Sequence, residues 1–323
     1  MKKVLITGIA GFVGSSLAER LLETPGVQVI GIDSFTDYYP VAIKRDNIST
    51  LCNAGVRIDE ADLATADLDQ LLDGVDTVFH QAGQPGVRPS WGTSFGAYTR
   101  DNVNATQRLL EACNRSSQLK RIVYASSSSV YGEAKQYPTY EQDRTAPLSP
   151  YGVTKLAAEH LMSLYAANFG VPAVSLRYFT VYGPRQRPDM GFTRFLTRSI
   201  FGDEISVYGD GSQIRDFTFV QDIVDANIAA ATAQDVASGS VFNISGGSSV
   251  ALNEVFEMIE DVSGAPLKLK RTDKVPGDVF QTGGDSSHAR EVLGWTPRTD
   301  LRQGLRQQLE WLAPRADRYR DLV

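Results

Sequence analysis

The stretch that most constrains this chain runs from Val4 to Leu22. A short apolar strand pattern, Val4–Thr7, breaks at once into Gly8, Gly11 and Gly14, and the amphipathic helix pattern Phe12–Leu22 begins among those glycines. Glycine permits the tight turn and the close backbone approach by which the pyrophosphate of a dinucleotide can meet the free N–H groups at a helix N-terminus. Three glycines in such a window also serve plain turns, so the spacing needs context. Asp33 supplies it. The residue ends the next strand pattern, nineteen positions past Gly14, where a carboxylate can accept the adenosine ribose 2′-hydroxyl and repel a 2′-phosphate. NAD is therefore expected over NADP.

The alternation begun here continues along the chain. Strand-like runs at Val27–Ile32, Thr77–Phe79, Arg121–Ala125 and Ala173–Arg177 are interleaved with helical patterns at Asn104–Cys113 and Pro150–Asn168. Such alternation implies βαβ units, and the expected fold class is α/β: a Rossmann-type doubly wound parallel sheet with a smaller C-terminal α/β substrate-binding lobe. Residues 1–180 are assigned to the NAD-binding domain and 181–323 to a substrate-binding lobe. Beyond Val181 the pattern turns irregular, although Phe217–Val220 and Val241–Ile244 read as strands able to rejoin the sheet.

Composition removes several alternatives. With 323 residues, 42% of them hydrophobic, the chain can bury a large core in one generous domain or two coupled ones. A net charge of -6 gives no basic footprint for nucleic acid or an anionic membrane, so any phosphate must meet a local positive site. Lys2 and Lys3 before an apolar run resemble the start of a secretory signal, but Val4–Thr7 breaks into glycines instead of continuing as an apolar core. No run reaches the roughly 18 apolar residues of a membrane span. Cys52 and Cys113 cannot form a disulfide framework, and a cytoplasmic location is expected. The three histidines, His80, His160 and His288, lack partners at metal-ligand spacing; no metal is expected and they are read as structural. No G-x-S-x-G elbow accompanies the serine run, which leaves a hydrolase without its motif.

The second chemical signal is Tyr151 with Lys155, four residues apart and so on one helix face. A tyrosine is a poor base near neutrality unless a cation stabilises its phenolate, and Lys155 supplies that charge. The helix follows Ser126-Ser127-Ser128-Ser129 at a strand end, the position where doubly wound sheets bind ligands.

Four segments carry a resemblance: T-G-I-A-G-F-V-G at Thr7–Gly14, S-S-S-S-V-Y-G at Ser126–Gly132, P-Y-G-V-T-K at Pro150–Lys155 and R-Y-F-T-V-Y-G-P at Arg177–Pro184. Over nearly its whole length the chain resembles the extended short-chain dehydrogenase/reductases, and among them the NAD-dependent sugar-nucleotide 4-epimerases. The resemblance implies that Tyr151 is the catalytic base, supported by Lys155, and that Ser127 holds the reacting sugar hydroxyl. It places Gly8, Ala10, Gly11, Phe12, Val13 and Gly14 around the cofactor, with Asp33 and Ser34 at its ribose. It puts Asp62 and Leu63 by the adenine, Gln81, Ala82 and Gly83 alongside, and Tyr178 near the nicotinamide. The implied reaction oxidises C4 of a UDP-sugar, lets the 4-keto sugar turn over, and returns the hydride to the other face, so NAD is regenerated in each turnover.

Dehydratases and uronate decarboxylases of similar sequence carry acidic residues just before V-Y-G. Here Ser128 and Ser129 stand there, which argues against both reactions for want of an acid. The strings D-S-F-T-D-Y-Y at Asp33–Tyr39, G-V-R-P-S at Gly86–Ser90 and G-P-R-Q-R-P-D-M at Gly183–Met190 resemble UDP-glucuronate 4-epimerases more than UDP-glucose 4-epimerases. Thr180 follows R-Y-F where the UDP-glucose enzymes usually have Asn. Arg88, Arg185 and Arg187 are candidate cations for a uronate carboxylate or the diphosphate. Ser128, Ser129, Thr180 and Arg187 are suitable donors for holding that carboxylate. By resemblance Val207 and Tyr208 line the uracil pocket, Gln213 and Arg215 meet the UDP moiety, and Asp278 holds its ribose; Val275 stands where UDP-glucose epimerases often place Arg, with Lys274 beside it. A UDP-glucose or UDP-N-acetylglucosamine 4-epimerase, and behind it a UDP-uronate decarboxylase, a net redox enzyme and a non-catalytic NAD-sensing module, remain as alternatives. A homodimer pairing the helices near Asn104–Cys113 and Tyr151–Asn168 is implied by resemblance.

Overall fold

Val4, Leu5, Ile6 and Thr7 of the first strand are all fully buried, as a strand must be when helices cover both faces of a parallel sheet. The structure, a computed structural model, describes residues 1–273 and 279–323. Its strands are β1 (Lys3–Thr7), β2 (Gln28–Asp33), β3 (Arg57–Glu60), β4 (Thr77–His80), β5 (Arg121–Ser127), β6 (Ala173–Tyr178), β7 (Thr180–Tyr182), β8 (Glu204–Tyr208), β9 (Ile214–Phe219), β10 (Ser240–Ile244), β11 (Ser249–Ala251) and β12 (Lys268–Thr272). Seven of these form one sheet in the order β10-β6-β5-β4-β1-β2-β3, with every neighbouring pair parallel. This is the Rossmann-type α/β fold. The chain direction of travel reverses beside β1, which lies between β2 and β4, and that switch point opens a crevice at the carboxyl ends of the strands.

Helices Phe12–Leu22 and Val220–Thr232 cover one face, where Leu17, Ala18 and Leu21 pack with Ile223, Val224 and Ala226. Helices Ala105–Arg115 and Pro150–Phe169 cover the other through Leu109, Leu110, Ala158 and Met162. A smaller lobe contains the three-stranded sheet β11-β9-β7, the pair β12-β8 and helices Gly191–Phe201, Leu252–Ser263 and Leu301–Leu312. Its core is centred on Tyr182, whose ring meets Phe192, Phe217 and Phe219 edge-on. Among the described residues no helix is long and apolar enough to cross a membrane.

Three sequence expectations change. Val241–Ile244 does lie in a strand of the large sheet, β10, but Phe217–Phe219 belongs to β9 of the separate three-stranded sheet, and Val220 opens a helix instead of ending a strand. An apolar run states that a segment is buried without stating against which sheet. The helix expected at Asn104 is regular only from Ala105, after a wider π turn at Thr99–Asn104. Beyond Val181 the chain is more regular than its glycines and prolines imply, because the lobe's helices are short and stop at left-handed glycines such as Gly202 and Gly264.

Candidate functional site

The glycine turn is pressed against its surroundings with no room for side chains. A Cβ on Gly14 would sit 2.2 Å from the Gly8 carbonyl oxygen, and one on Gly8, whose φ is +69°, would sit 2.8 Å from the backbone of Ala82. No side chain caps the helix at Gly11, and its first turn carries no acid. Its leading N–H groups are therefore available to an anion. Gly8, Gly11, Phe12, Val13 and Gly14 line a cavity of about 890 Å³ that continues across the carboxyl ends of the sheet, large for a single small ligand. Ala10 does not line it. Its N–H instead donates to Asp33 Oδ2 at 3.0 Å, while Asp33 Oδ1 accepts the N–H of Phe35 at 2.9 Å. These two bonds aim the carboxylate, and Asp33, Ser34, Asp62, Leu63, Gln81, Ala82 and Gly83 all face the cavity. Asp62 is also paired with Arg100.

Helix Pro150–Phe169 begins with Ser149 accepting the Gly152 N–H at 3.1 Å and with proline in its first turn. That start puts Tyr151 and Lys155 at the cavity, beside Ser127 from the end of β5. Burial raises the Tyr151 pKa above its usual 10.0, while the hydrogen bond with Ser127 and the charge of Arg187 pull it down. Lys155 is almost fully buried, and burial brings its pKa down to about 7 against the raising effect of Glu159. Its ammonium lies 4.5 Å from the centre of the Tyr124 ring. Ser128, Ser129 and Tyr178 complete this wall of the cavity. The Tyr178 hydroxyl is fixed by Gln81 and Asn227 at 3.2 and 3.1 Å.

Two residues outside the sequence reading hold these groups in place. Glu159, one turn beyond Lys155, is buried in a fork with Arg177, at 3.0 Å from Nε and 2.6 Å from Nη2, and accepts the Ser126 hydroxyl at 2.6 Å. Arg177 also donates to the Tyr131 hydroxyl at 2.6 Å, and Tyr131 in turn donates to Asn243 Oδ1 at 2.7 Å. Asn102, in the π turn, accepts the Gln84 N–H at 2.6 Å and donates to Thr154 at 2.9 Å, joining the loop after β4 to the helix of Tyr151. Neither residue had a local signal, since a buried carboxylate and a buried amide read in sequence as ordinary polar helix positions. His80 sits between the hydroxyls of Thr7 and Thr106, at 2.8 and 2.9 Å, and burial drives its pKa down to about 3, so the ring is neutral.

Thr180, Arg187, Arg88, Val207, Tyr208, Gln213 and Arg215 line the far half of the same cavity. The Arg187 guanidinium makes a fork with Asp189, both contacts at 2.9 Å. Arg185 faces elsewhere and pairs with Glu19 at 2.6 Å, so it is not part of the cavity wall. Arg88 stacks 4.3 Å over the Tyr208 ring, and Arg215 donates to the carbonyls of Phe280 and Val279 at 2.9 and 2.6 Å. Asp278, with Lys274 and Val275, lies outside the described residues.

The buried ammonium of Lys155 yields a pH prediction. Its folded pKa, about 7, lies below the ordinary 10.5, so between those values the unfolded chain binds more protons and folding stability rises with pH. In cofactor-free protein Lys155→Met should therefore be the more stable form at pH 6 to 7, by an amount on the order of a few kcal/mol, with the advantage vanishing toward pH 10. Urea unfolding across that range is the measurement; a difference that does not change with pH would rule out the strained ammonium.

The sequence matches the NAD dependent epimerase/dehydratase family over residues 4–245. It is 44% identical over 312 residues to the uncharacterized UDP-glucose epimerase YtcB of Bacillus subtilis (strain 168), covering 96% of this chain and 98% of that one. It is 37% identical to UDP-glucuronate 4-epimerase 2 of Arabidopsis thaliana, over 95% of this chain and 75% of the plant protein. The crystal structure of the UDP-glucuronic acid 4-epimerase from Bacillus cereus, in complex with UDP-glucuronic acid and NAD, superimposes with a TM-score of 0.93 at 40% identity, covering 97% of this chain and 99% of the other. With its glycine cradle, its Tyr151–Lys155 helix and this match across three-quarters of its length, the chain belongs to the NAD dependent epimerase/dehydratase family.

Proposed function

We propose that the protein is an NAD-dependent 4-epimerase that interconverts UDP-glucuronate and UDP-galacturonate. The observation that carries this reading is the Tyr151 hydroxyl, hydrogen-bonded to Ser127 and one turn from a buried Lys155, in a cavity running from the glycine cradle to Tyr208 and Arg215. The cradle fits a dinucleotide, because Gly8 and Gly14 leave no space for a Cβ and the helix start has no cap of its own. Gly11, Phe12 and Val13 would hold the pyrophosphate and Asp33 the adenosine ribose, and bound NAD supplies a reversible hydride acceptor for the sugar C4.

The chain's own residues do the rest. Tyr151 receives the proton of the 4-hydroxyl as the carbinol is oxidised and returns it after the keto sugar has turned over, while Ser127 holds the oxygen through both half-reactions. The charge of Arg187 lowers the Tyr151 pKa, and Lys155 in its protonated form adds a second cation beside the phenolate. A uronate oxidised at C4 is a β-keto acid and loses carbon dioxide readily. Ser128, Ser129, Thr180 and Arg187 stop that loss by holding the carboxylate so that the C5–C6 bond stays out of line with the ketone π-system. Residues 1–180 act as the cofactor domain and 181–323 as the nucleotide-sugar lobe, with Val207, Tyr208 and Arg215 on the uridine diphosphate and Arg88 closing over Tyr208. A second reading, a UDP-glucose 4-epimerase, is favoured by the 44% identity to the Bacillus subtilis UDP-glucose epimerase.

The free cysteines fit a cytoplasmic enzyme. A homodimer is supported by helix Pro150–Phe169, which leaves Val153 and Leu164, three turns apart and so on one side, exposed.

Purified protein incubated separately with UDP-glucuronate and UDP-glucose, followed by the anomeric proton signals in NMR, should yield the galacto epimer in the uronate tube, with Tyr151→Phe slowing turnover by roughly 10²–10⁴. Unchanged turnover in that variant would refute the mechanism, and conversion of UDP-glucose alone would transfer the assignment to the second reading. Thr180→Val and Arg187→Met should release more pentose nucleotide per turnover than wild type; equal release would remove the carboxylate-holding role. Light scattering should give twice the chain mass, reduced to one by Leu164→Glu, and a monomeric wild type would count against the dimer.

A further inference from the structure

Lys155 has to carry a charge where burial resists one. The residue is only 7% exposed, and among the described residues its ammonium makes no hydrogen bond and no ion pair. Glu159 acts on it from one turn along the same helix, but that carboxylate is already engaged by Arg177 on β6 and by the Ser126 hydroxyl on β5. The other titratable groups that face it, Tyr151 on its own helix and His80 on β4, are neutral, since burial raises the pKa of the phenol and lowers that of the imidazole to about 3. What the protein sets directly against the ammonium is the face of the Tyr124 ring on β5, whose centre lies 4.5 Å away. An aromatic face attracts a cation through the negative side of its quadrupole, and the attraction is strongest where water is excluded.

The ring of Tyr124, and not its hydroxyl, is the part in use. Tyr124 is 1% exposed, and its hydroxyl has no hydrogen-bond partner among the described residues. A buried hydroxyl left unpaired is destabilising, so it does not explain why the side chain sits there. Burial also pushes the phenol well above its usual 10.0, which keeps it from competing with Tyr151 for a proton. The ring is fixed from two directions. His80, pinned between Thr7 and Thr106, packs against it with ring centres 5.5 Å apart, and Ser126, two residues on and so on the same face of β5, is bonded to Glu159. Ring and carboxylate therefore form one rigid setting for the ammonium. Tyr124 is not part of the cavity wall, so any effect it has on the reaction passes through Lys155.

We propose that Tyr124 is a positioning residue for the proton transfer: its ring face holds the Lys155 ammonium, in its charged form, beside Tyr151. The inference rests on the Tyr151–Lys155 reading given above and adds the group that makes the buried cation tolerable. Aromaticity at this position is then required, and the hydroxyl is dispensable.

The test is an NMR titration of the Lys155 Cε signal in cofactor-free protein, assigned by its absence from Lys155→Met, together with turnover of UDP-glucuronate and UDP-glucose. Tyr124→Phe keeps the ring, and should leave the midpoint within about 0.3 pH unit and kcat within about twofold of wild type. Tyr124→Leu removes the face; the midpoint should fall by about 0.5–1.5 pH units and kcat by roughly 3- to 30-fold, with KM unchanged within about twofold. Where Tyr124→Leu is too unstable or admits water, pentafluorophenylalanine at the same position decides, because it has nearly the shape of phenylalanine but no negative face; the same fall is expected. A midpoint that pentafluorophenylalanine leaves where Tyr124→Phe has it would overturn the proposal. So would equal losses of kcat in Tyr124→Phe and Tyr124→Leu, which mark a purely structural tyrosine, and a lowered midpoint with unaltered kcat, which removes the ring from the reaction. A wild-type chain that converts neither sugar would overturn the epimerase reading itself, while the titration still decides whether the ring holds the ammonium.

Discussion

The buried pair of Glu159 and Arg177 is the contact on which the geometry of the site depends. Glu159 sits on the helix that carries Tyr151 and Lys155, Arg177 precedes Tyr178 on β6, and the Ser126 hydroxyl bonded to the same carboxylate precedes Ser127 on β5. One carboxylate thus ties together three elements that bring Ser127, Tyr178 and, one turn earlier on the helix, Lys155 to the cavity. Burial alone would lower the Arg177 pKa, but its hydrogen bonds and charge contact with Glu159 hold it above its usual value, so the guanidinium keeps its charge. Such pairs contribute little net stability, because desolvation offsets much of the attraction, yet losing one partner strands a buried charge at a cost of about 3–5 kcal/mol. What the pair supplies is position.

That position matters because the groups that line the cavity come from distant parts of the chain. Ser127, Tyr151 and Tyr178 reach one wall, Arg88 reaches across to Tyr208, and Arg187 arrives on a loop anchored to the cofactor helix through Arg185 and Glu19. The loop is further tied by Tyr38, whose hydroxyl donates to Asp189 at 3.4 Å. Lys155 then occupies an environment that makes its own charge expensive, with Glu159 as the counterweight. A lysine poised in this way is a responsive partner for a phenol whose ionisation burial also resists.

Parts of this were legible in the sequence because they are local. Gly8 and Gly14 are dictated by a turn with no space for a Cβ, Asp33 by the length of one βαβ step, and Tyr151 with Lys155 by the pitch of a helix. Other features escaped because they depend on what lies opposite. β3, Arg-Ile-Asp-Glu, reads as polar because it is the edge of the sheet, where charged residues face water. The resemblance implies a cofactor contact at Ala10, but its N–H turns to Asp33 instead. Asn102 and Glu159 are polar helix residues that gain meaning only when packing removes them from solvent.

The sequence by itself determined the architecture of the cofactor half and the pairing of Tyr151 with Lys155 on one helix face, since periodicity, glycine spacing and the helical repeat of four are properties of neighbouring residues. The tertiary structure decided which sheet β9 joins, which of Arg185 and Arg187 faces the cavity, and which buried charges support Tyr151. The physical reason is the same in each case: burial and charge pairing are set by residues far apart in the chain, and their energies exist only once the fold has brought those residues together.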